Sequence, residues 1–457
     1  MLLRLTTENL FSFGKRKEFN LFPYTRLNTL KHHCYEKLDT RVLKMAALYG
    51  ANGAGKSNLV KVIHGLKRLV IEGSLPLSLQ EASFKLYPVG AEQPKSQLIA
   101  IEFIMEEKAF YYGVEFKKGI LLTEELYLSG LGKKEDELLF ERKTTEDKTT
   151  SITLAKHIEE DEKGKLLKEI LLEEFAKPNQ SVMKWLADRE SAVFANIKKA
   201  WQWFDDYLYI LAPDSKPHGL ALHLENQPIF KKYADEIMAS FKTGVNSIEV
   251  ESVQLEEFFG QDDVDDALNS MKEAIGEGKG ASFVSDQGDE LVVSKEEENF
   301  FVKLLKTKHL NVEGNAVIFD LEEESDGTRR LIDFIPFLHS IINKDKTYII
   351  DEIERSIHPL LIKELVKKFA DNPHTKGQLI FTTHESNLLD QSIFRQDEIW
   401  FAEKDQEGAT DLYSLSDFKE HKTIDIQKGY LNGRYGSIPF LGDLKALNWE
   451  DYVVEQE

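Results

Sequence analysis

Residues 50–57 read Gly50-Ala51-Asn52-Gly53-Ala54-Gly55-Lys56-Ser57 and fit the P-loop pattern G-x-x-x-x-G-K-[ST] at every position. In such a loop the glycines let successive backbone N–H groups turn inward around phosphates. Lys56 supplies a point charge for the β- and γ-phosphates, and the Ser57 hydroxyl can ligate Mg²⁺. The flanks agree with the motif. Ala46-Ala47-Leu48-Tyr49 is an apolar run suited to a buried strand, and Leu59, Val60, Val62, Ile63 and Leu66 recur at helical spacing. The loop therefore opens onto a helix N-terminus, where anions are favoured.

Working outward, Tyr348-Ile349-Ile350-Asp351-Glu352 is an apolar strand ending in two carboxylates, the Walker B arrangement. It would bring Asp351 near the Mg²⁺ held by Ser57 and put Glu352 where it can polarise an attacking water. Further on, Gln378-Leu379-Ile380-Phe381-Thr382-Thr383-His384 is a second apolar strand, and a His at its end can reach a γ-phosphate. Between the two halves, Glu324-Ser325-Asp326-Gly327-Thr328-Arg329-Arg330-Leu331 precedes a helical run over 331–342. Its Ser, Gly and backbone amides make a second anion-binding helix end, or an N-cap by Ser325 or Asp326.

The 457 residues are 42% hydrophobic and 30% charged, a globular composition with room for two or three domains. No apolar run approaches the ~18 residues of a membrane span, and residues 1–6 alternate like a strand rather than a signal peptide. The single cysteine, Cys34, excludes an intrachain disulfide. These features predict a cytoplasmic protein without membrane association. A net charge of -21 repels nucleic acid on average, so binding to DNA or RNA would need a local basic patch or a basic partner.

Short strands are expected at 98–104, 110–116, 124–127 and 138–141, forming an antiparallel sheet. Two amphipathic helical faces follow, one from Leu166 to Phe175 and one from Val182 to Phe204. The aromatic cluster Trp201, Trp203, Phe204, Tyr207 and Tyr209 lies on that pattern and reads as packing surface. Residues 211–300 are the least legible. The acidic run at 262–266 lacks the ligand pattern of an EF-hand, and residues 276–280 read as a joint. There is no internal repeat and no heptad run long enough for a coiled-coil arm.

P-loop, insertion, Ser-Asp-Gly-Thr helix start, Walker B and histidine strand stand in the order typical of ABC-type ATPases. The chain resembles their SMC/RecF-like branch, and within it the AbiL/RloA/AriA-type ATPases of bacterial abortive infection. The resemblance rests on Leu10-Phe11-Ser12-Phe13, on the P-loop with Asn52 and Asn58, on Glu324 to Arg330, on Asp351 to Pro359, on Phe381 to Asp390 and on Lys428 to Gly436.

The fold it implies is α/β. An ABC-type head, with a mixed central sheet, flanking helices and an antiparallel β subdomain, is interrupted by a mainly helical insertion. The expected parts are lobe I over 1–150, the insertion over 151–300 and lobe II over 301–457. The resemblance also implies ATP and Mg²⁺ and a composite site. Asn52, Gly53, Gly55, Lys56, Ser57 and Asn58 of one protomer would hold the nucleotide, and Ser325 and Gly327 of another would cap the γ-phosphate. Ser356 to His358 would signal across the interface, and His384 would be the switch histidine. Glu-Ser-Asp-Gly-Thr replaces the usual Leu-Ser-Gly-Gly-Gln signature. Gln80, Gln93 and Gln97 all remain candidates for the Q-loop glutamine.

Association has a physical motive as well, because an anion-binding helix end remote from the P-loop is completed by a neighbour's phosphate. The implied role is a defence ATPase that forms homo-oligomers, senses a phage-derived trigger and controls a separate toxic effector, such as a nuclease. The alternative is an SMC/RecF-like repair ATPase that clamps DNA. A fused Toprim nuclease is disfavoured, since residues 385–457 lack its spaced carboxylates and length. Residues 428–436 read either as a hairpin or turn whose glycines supply positive φ and whose tyrosines pack on the lobe, or as an element docking a neighbouring subunit or effector.

Overall fold

The computed structural model describes residues 1–80, 96–145, 147–259, 275, 280–284, 290–297, 299–418 and 424–437. Gln93, the acidic run at 262–266 and residues 276–279 lie outside them. The chain forms two compact units. The first comprises Met1–Ile210, Thr347–Ile353 and Gln378–Glu457; the second comprises Leu211–Lys346 and Glu354–Gly377.

In the first unit, β1 (Leu2–Glu8) and β2 (Lys17–Asn20) begin the chain, and β3 (Cys34–Lys37) and β4 (Thr40–Leu43) form a hairpin. β5 (Met45–Tyr49), buried at every residue, runs into the P-loop. The helix Lys56–Glu72 follows and turns Leu59, Val62, Ile63, Leu66, Leu69 and Val70 into the core. Then β6 (Gln97–Met105), β7 (Lys108–Lys117), β8 (Ile120–Leu128), β9 (Glu137–Thr144) and β10 (Thr150–Leu154) complete a seven-stranded sheet, ordered β10-β9-β8-β7-β6-β1-β2. All four strands expected between 98 and 141 are present in it.

The second sheet contains β11 (Leu208–Leu211), β17 (Thr347–Ile350), β18 (Gln378–Thr383), β5, β19 (Ile399–Lys404) and β20 (Thr410–Ser414) in that order. Neighbours from β17 through β18 and β5 to β19 are parallel, and β20 returns antiparallel to β19. Parallel neighbours require crossover connections, and the helix Pro359–Asp371 lies in the one between β17 and β18.

Residues 151–210 do not separate from this unit. The expected boundary at 150 falls inside β10; Leu167, Leu171 and the apolar face of 182–204 join the core of the antiparallel sheet, while Leu166 and Ile170 stay exposed. Trp203 stacks on Phe103 with centroids 4.2 Å apart, and Trp203 and Phe204 are fully buried. An amphipathic face is stable only when covered, and the sheet supplies the cover.

A buried polar knot fixes this packing. Glu124 on β8 accepts hydrogen bonds from Tyr112 Oη (3.0 Å), Ser181 Oγ (2.6 Å) and the N–H groups of Val182 (2.9 Å) and Met183 (3.3 Å). Arg142, its cross-strand partner, donates to the carbonyls of Leu121 and Lys177. Two backbone bonds then tie the same segment to the end of the P-loop helix, Ser181 N–H to Gly73 O (3.0 Å) and Leu75 N–H to Asn179 O (2.9 Å). Glu124→Ala would strand these donors and leave Arg142 without its compensating carboxylate. We expect it to cost about 3–5 kcal/mol in urea unfolding. A loss below about 1 kcal/mol would show that water replaces the carboxylate.

The second unit carries a sheet as well as helices. It has the helices Leu220–Asn226, Pro228–Ser240 and Asp326–Asn343. It also has a sheet of β12 (Ser247–Gln254), β13 (Gly280–Val284), β14 (Glu290–Glu296), β15 (Asn299–Leu310) and β16 (Ala316–Asp320), all paired antiparallel. β12 is half-exposed or exposed along most of its length, with Ile248 its buried residue. No helix among the described residues is long and apolar enough to cross a membrane.

Candidate active site

The parallel strands set the site. Ile350 stands opposite Phe381, Phe381 opposite Ala47, and Thr383 opposite Tyr49, so β18 and β5 end at one level and β17 ends two residues short of it. Gly50, Asp351 and His384 each follow directly from a strand end. That crevice, outside the carboxyl ends of parallel strands, is where open α/β sheets bind ligands.

In the P-loop, Asn52 and Gly53 are exposed, while Ala54, Gly55 and Lys56 are buried. Lys56 Nζ donates to the carbonyls of Gly50 (2.8 Å) and Ala51 (3.1 Å) and lies 3.3 Å from His384 Nδ1. An ammonium has only donors, so Nδ1 of His384 accepts from it and the ring proton belongs on Nε2. His384 is exposed at the end of β18. Ser57 and Asn58 begin the helix, half-buried, and Asn58 Nδ2 donates to Ser12 Oγ at 2.8 Å.

Asp351 is buried and accepts from Thr382 Oγ1 at 2.5 Å. The same Thr382 oxygen receives the backbone N–H of Glu352 at 2.8 Å, and Thr382 O receives Ile353 N–H at 3.2 Å. Glu352 has φ 50°, a left-handed conformation that costs a non-glycine residue roughly 1–2 kcal/mol. Thr382 therefore positions both Walker B residues and holds Glu352 in that conformation. Its residue type gave no hint of this, because Thr is an ordinary strand former.

In the second unit, Ser325 caps the helix Asp326–Asn343, accepting from Thr328 N–H at 3.2 Å with Thr328 Oγ1 at 2.9 Å. The capping reading of this segment is thus met, and Ser325 is also exposed. Just before it, Glu324 takes Thr307 Oγ1 and His309 Nε2 of β15, each at 2.5 Å. Gly327 has a packing reason of its own, since a Cβ there would lie 2.8 Å from Ser356 O. The loop expected to signal across an interface therefore rests on the signature helix. Arg330, one turn on, donates to Ser215 O (3.0 Å) and lies over Phe334. Burial pushes its guanidinium below the usual range.

Of the Q-loop candidates, Gln80 donates to Leu75 O and Gln97 is buried at the start of β6. Residues 428–436 form part of the helix Ile426–Leu431 and the turn after it, not a hairpin. Tyr430 and Tyr435 stack on Phe401 at 5.8 and 5.7 Å, and Tyr413 Oη donates to Tyr435 O at 2.7 Å. Both tyrosines pack on the lobe, while Lys428, Leu431 and Arg434 face outward.

A family model described as "AAA domain, putative AbiEii toxin, Type IV TA system" matches residues 45–390. Among solved structures, an SMC head bound to the C-winged helix domain of ScpA matches at 14% identity and TM-score 0.47, covering 92% of this chain and 99% of that one. The SMC head domain from Thermotoga maritima matches at 11% identity and TM-score 0.38, covering 90% and 98%. An SMC head with an extended coiled coil, bound to the C-terminal domain of ScpA derived from Pyrococcus furiosus, matches at 13% identity and TM-score 0.40, covering 95% and 99%. No curated protein matches the chain.

Proposed function

The chain belongs to the family described as AAA domain, putative AbiEii toxin, Type IV TA system, and from that membership we propose that it binds and hydrolyses ATP as the sensor or scaffold subunit of an anti-phage, abortive-infection system. One observation carries the ATPase part. The P-loop, the Asp351–Glu352 pair and His384 each follow the carboxyl end of one of three adjacent parallel strands, with Lys56 Nζ 3.3 Å from His384 Nδ1.

In this reading the backbone N–H groups around Asn52, Gly53 and Gly55 cradle the phosphates, Lys56 balances their charge, and Asn58 braces the loop from the helix. Ser57 and Asp351 fit a Mg²⁺ ion. Both are oxygen donors of the kind it prefers, and Thr382 occupies only Oδ1 of Asp351, leaving Oδ2 as ligand. The ion would supply neutralisation of phosphate charge. Glu352 orients and deprotonates the attacking water, and His384 donates from Nε2 to the γ-phosphate. The work of the protein is positioning and charge stabilisation, as phosphoryl transfer demands.

Ser325 and Gly327 of a second copy complete the site, so ATP binding and association reinforce each other. The output is held by a separate effector, a toxin or nuclease, and released by a phage-derived cue. The domain division proposed at 150 and 300 marks the sequence lobes that carry the motifs, not the compact units of the fold.

Ser325→Arg is expected to retain nucleotide binding and block turnover. Mixed with a Lys56→Ala chain, it should regain activity, because one hybrid site then has an intact P-loop and an intact signature. Absence of any recovery would argue against a composite site. A tagged pull-down from cells carrying the native gene neighbourhood tests the rest. A stoichiometric second protein, identified as a nuclease or toxin, supports the scaffold role; DNA without a protein partner replaces it with an SMC/RecF-like clamp.

A further inference from the structure

A chain of hydrogen bonds closes beneath the P-loop, and two of its members lie 398 residues apart in sequence. Asn58 Nδ2 is 2.8 Å from Ser12 Oγ, Ser12 Oγ is 2.6 Å from Thr410 Oγ1, and Thr410 Oγ1 is 2.8 Å from Ala54 O. Asn58 Nδ2 donates to Ser12 Oγ, and the Thr410 hydroxyl is the donor toward both Ser12 Oγ and Ala54 O, which share its one proton. The main chain adds a further tie, Thr410 N–H to Ser12 O at 2.6 Å. Both side chains are buried.

The consequence falls on Gly55. A trans peptide unit is planar, with its C=O and N–H pointing in opposite directions. Thr410 holds the Ala54 carbonyl down, so the N–H of Gly55, in the same peptide unit, points up and away from the brace. Gly55 has φ 106°, and a Cβ there would meet Thr410 Oγ1 and lie 2.7 Å from Ser12 Oγ. The brace and the glycine therefore require one another.

We infer that Ser12 and Thr410 are positioning residues that hold the P-loop in its phosphate-receiving conformation before a nucleotide arrives. This rests on the nucleotide site proposed above. Ordering a loop residue costs roughly 1–2 kcal/mol of conformational entropy. A loop already ordered by the fold does not draw that cost from binding. Neither residue touches nucleotide in this scheme, so its removal weakens every phosphate ligand alike and leaves the chemical step nearly intact.

The test compares Thr410→Val, which keeps shape and removes the hydroxyl, with Thr410→Ser, which keeps the hydroxyl. Titration with ATP and with ADP should give a Kd raised roughly tenfold or more for both nucleotides in the Val variant. KM for ATP should rise in parallel while kcat changes far less, and the Ser variant should regain most of the affinity. If thermal melting shows that the Val variant does not fold, Ser12→Ala carries the same expectation. Wild-type affinity in the Val variant overturns the inference, as does a loss for ATP alone or a Ser variant as weak as the Val one. Failure of the wild-type chain to bind either nucleotide would instead overturn the nucleotide-site reading.

Discussion

Replacing Lys56 with Ala is expected to raise the Kd for ATP at least ~100-fold, to the point where binding is lost in a fluorescence or calorimetric titration. Each hydrogen bond from an ammonium to a phosphate oxygen contributes about 1.5–3 kcal/mol, and two of them exceed the 2.8 kcal/mol that a hundredfold change requires. The site has no second ammonium to substitute, because a P-loop contributes one lysine and the other protein donors in this reading are backbone amides, the His384 ring and the Ser325 end of a neighbour. Lys56 is buried and donates to Gly50 O and Ala51 O, so the substitution also removes two contacts inside the loop. A thermal melt separates the two effects. A folded variant that binds ATP within a few-fold of wild type would remove Lys56 from the nucleotide site and, with it, the reading of residues 50–57 as a phosphate cradle.

The parts of this site that were legible in the sequence share one property: their signal is local. A buried strand, a Gly-rich loop and an amphipathic helix stand side by side from Met45 to Glu72. An apolar strand ending in Asp351-Glu352 and one ending in His384 are likewise read within a few residues. Their order along the chain then gave the family, and the matched span of 45–390 agrees with that.

What escaped is set by tertiary contact. Thr382 and Thr410 lie on strands where Thr needs no special explanation, and each acquires its role from a partner far away in sequence. Ser12 and Asn58 were noticed as members of a pattern, yet their direct contact at 2.8 Å was not derivable from it. The compact units differ from the division expected at 150 and 300 for a related reason. Helical periodicity over 151–210 says that a face is buried, not against what, and the antiparallel sheet of the first lobe claims it. In the second unit, β16 is largely solvated on both faces, so the period-two signal that marks a strand is missing.

Replacing Glu352 with Gln should leave nucleotide binding intact and slow turnover at least ~100-fold, the lower range for loss of a general base. The geometry favours this substitution as a clean probe. Backbone contacts hold residue 352 in its left-handed conformation through Thr382, and Gln can occupy that position as well as Glu. Among the described residues the Glu352 carboxylate has no hydrogen-bond or ion-pair partner, so amidation breaks no contact of the fold. Asp351 keeps its bond to Thr382 and, with it, the proposed place as a cation ligand. Only the capacity to take a proton from water disappears. Because product is then formed slowly, the ATP-bound state should accumulate, and with it any oligomer that ATP holds together. Size-exclusion chromatography with and without ATP reads that shift in the same sample as the turnover assay. Unchanged turnover in the Gln variant would mean that another group activates the water and that Glu352 owes its strained backbone to something other than catalysis.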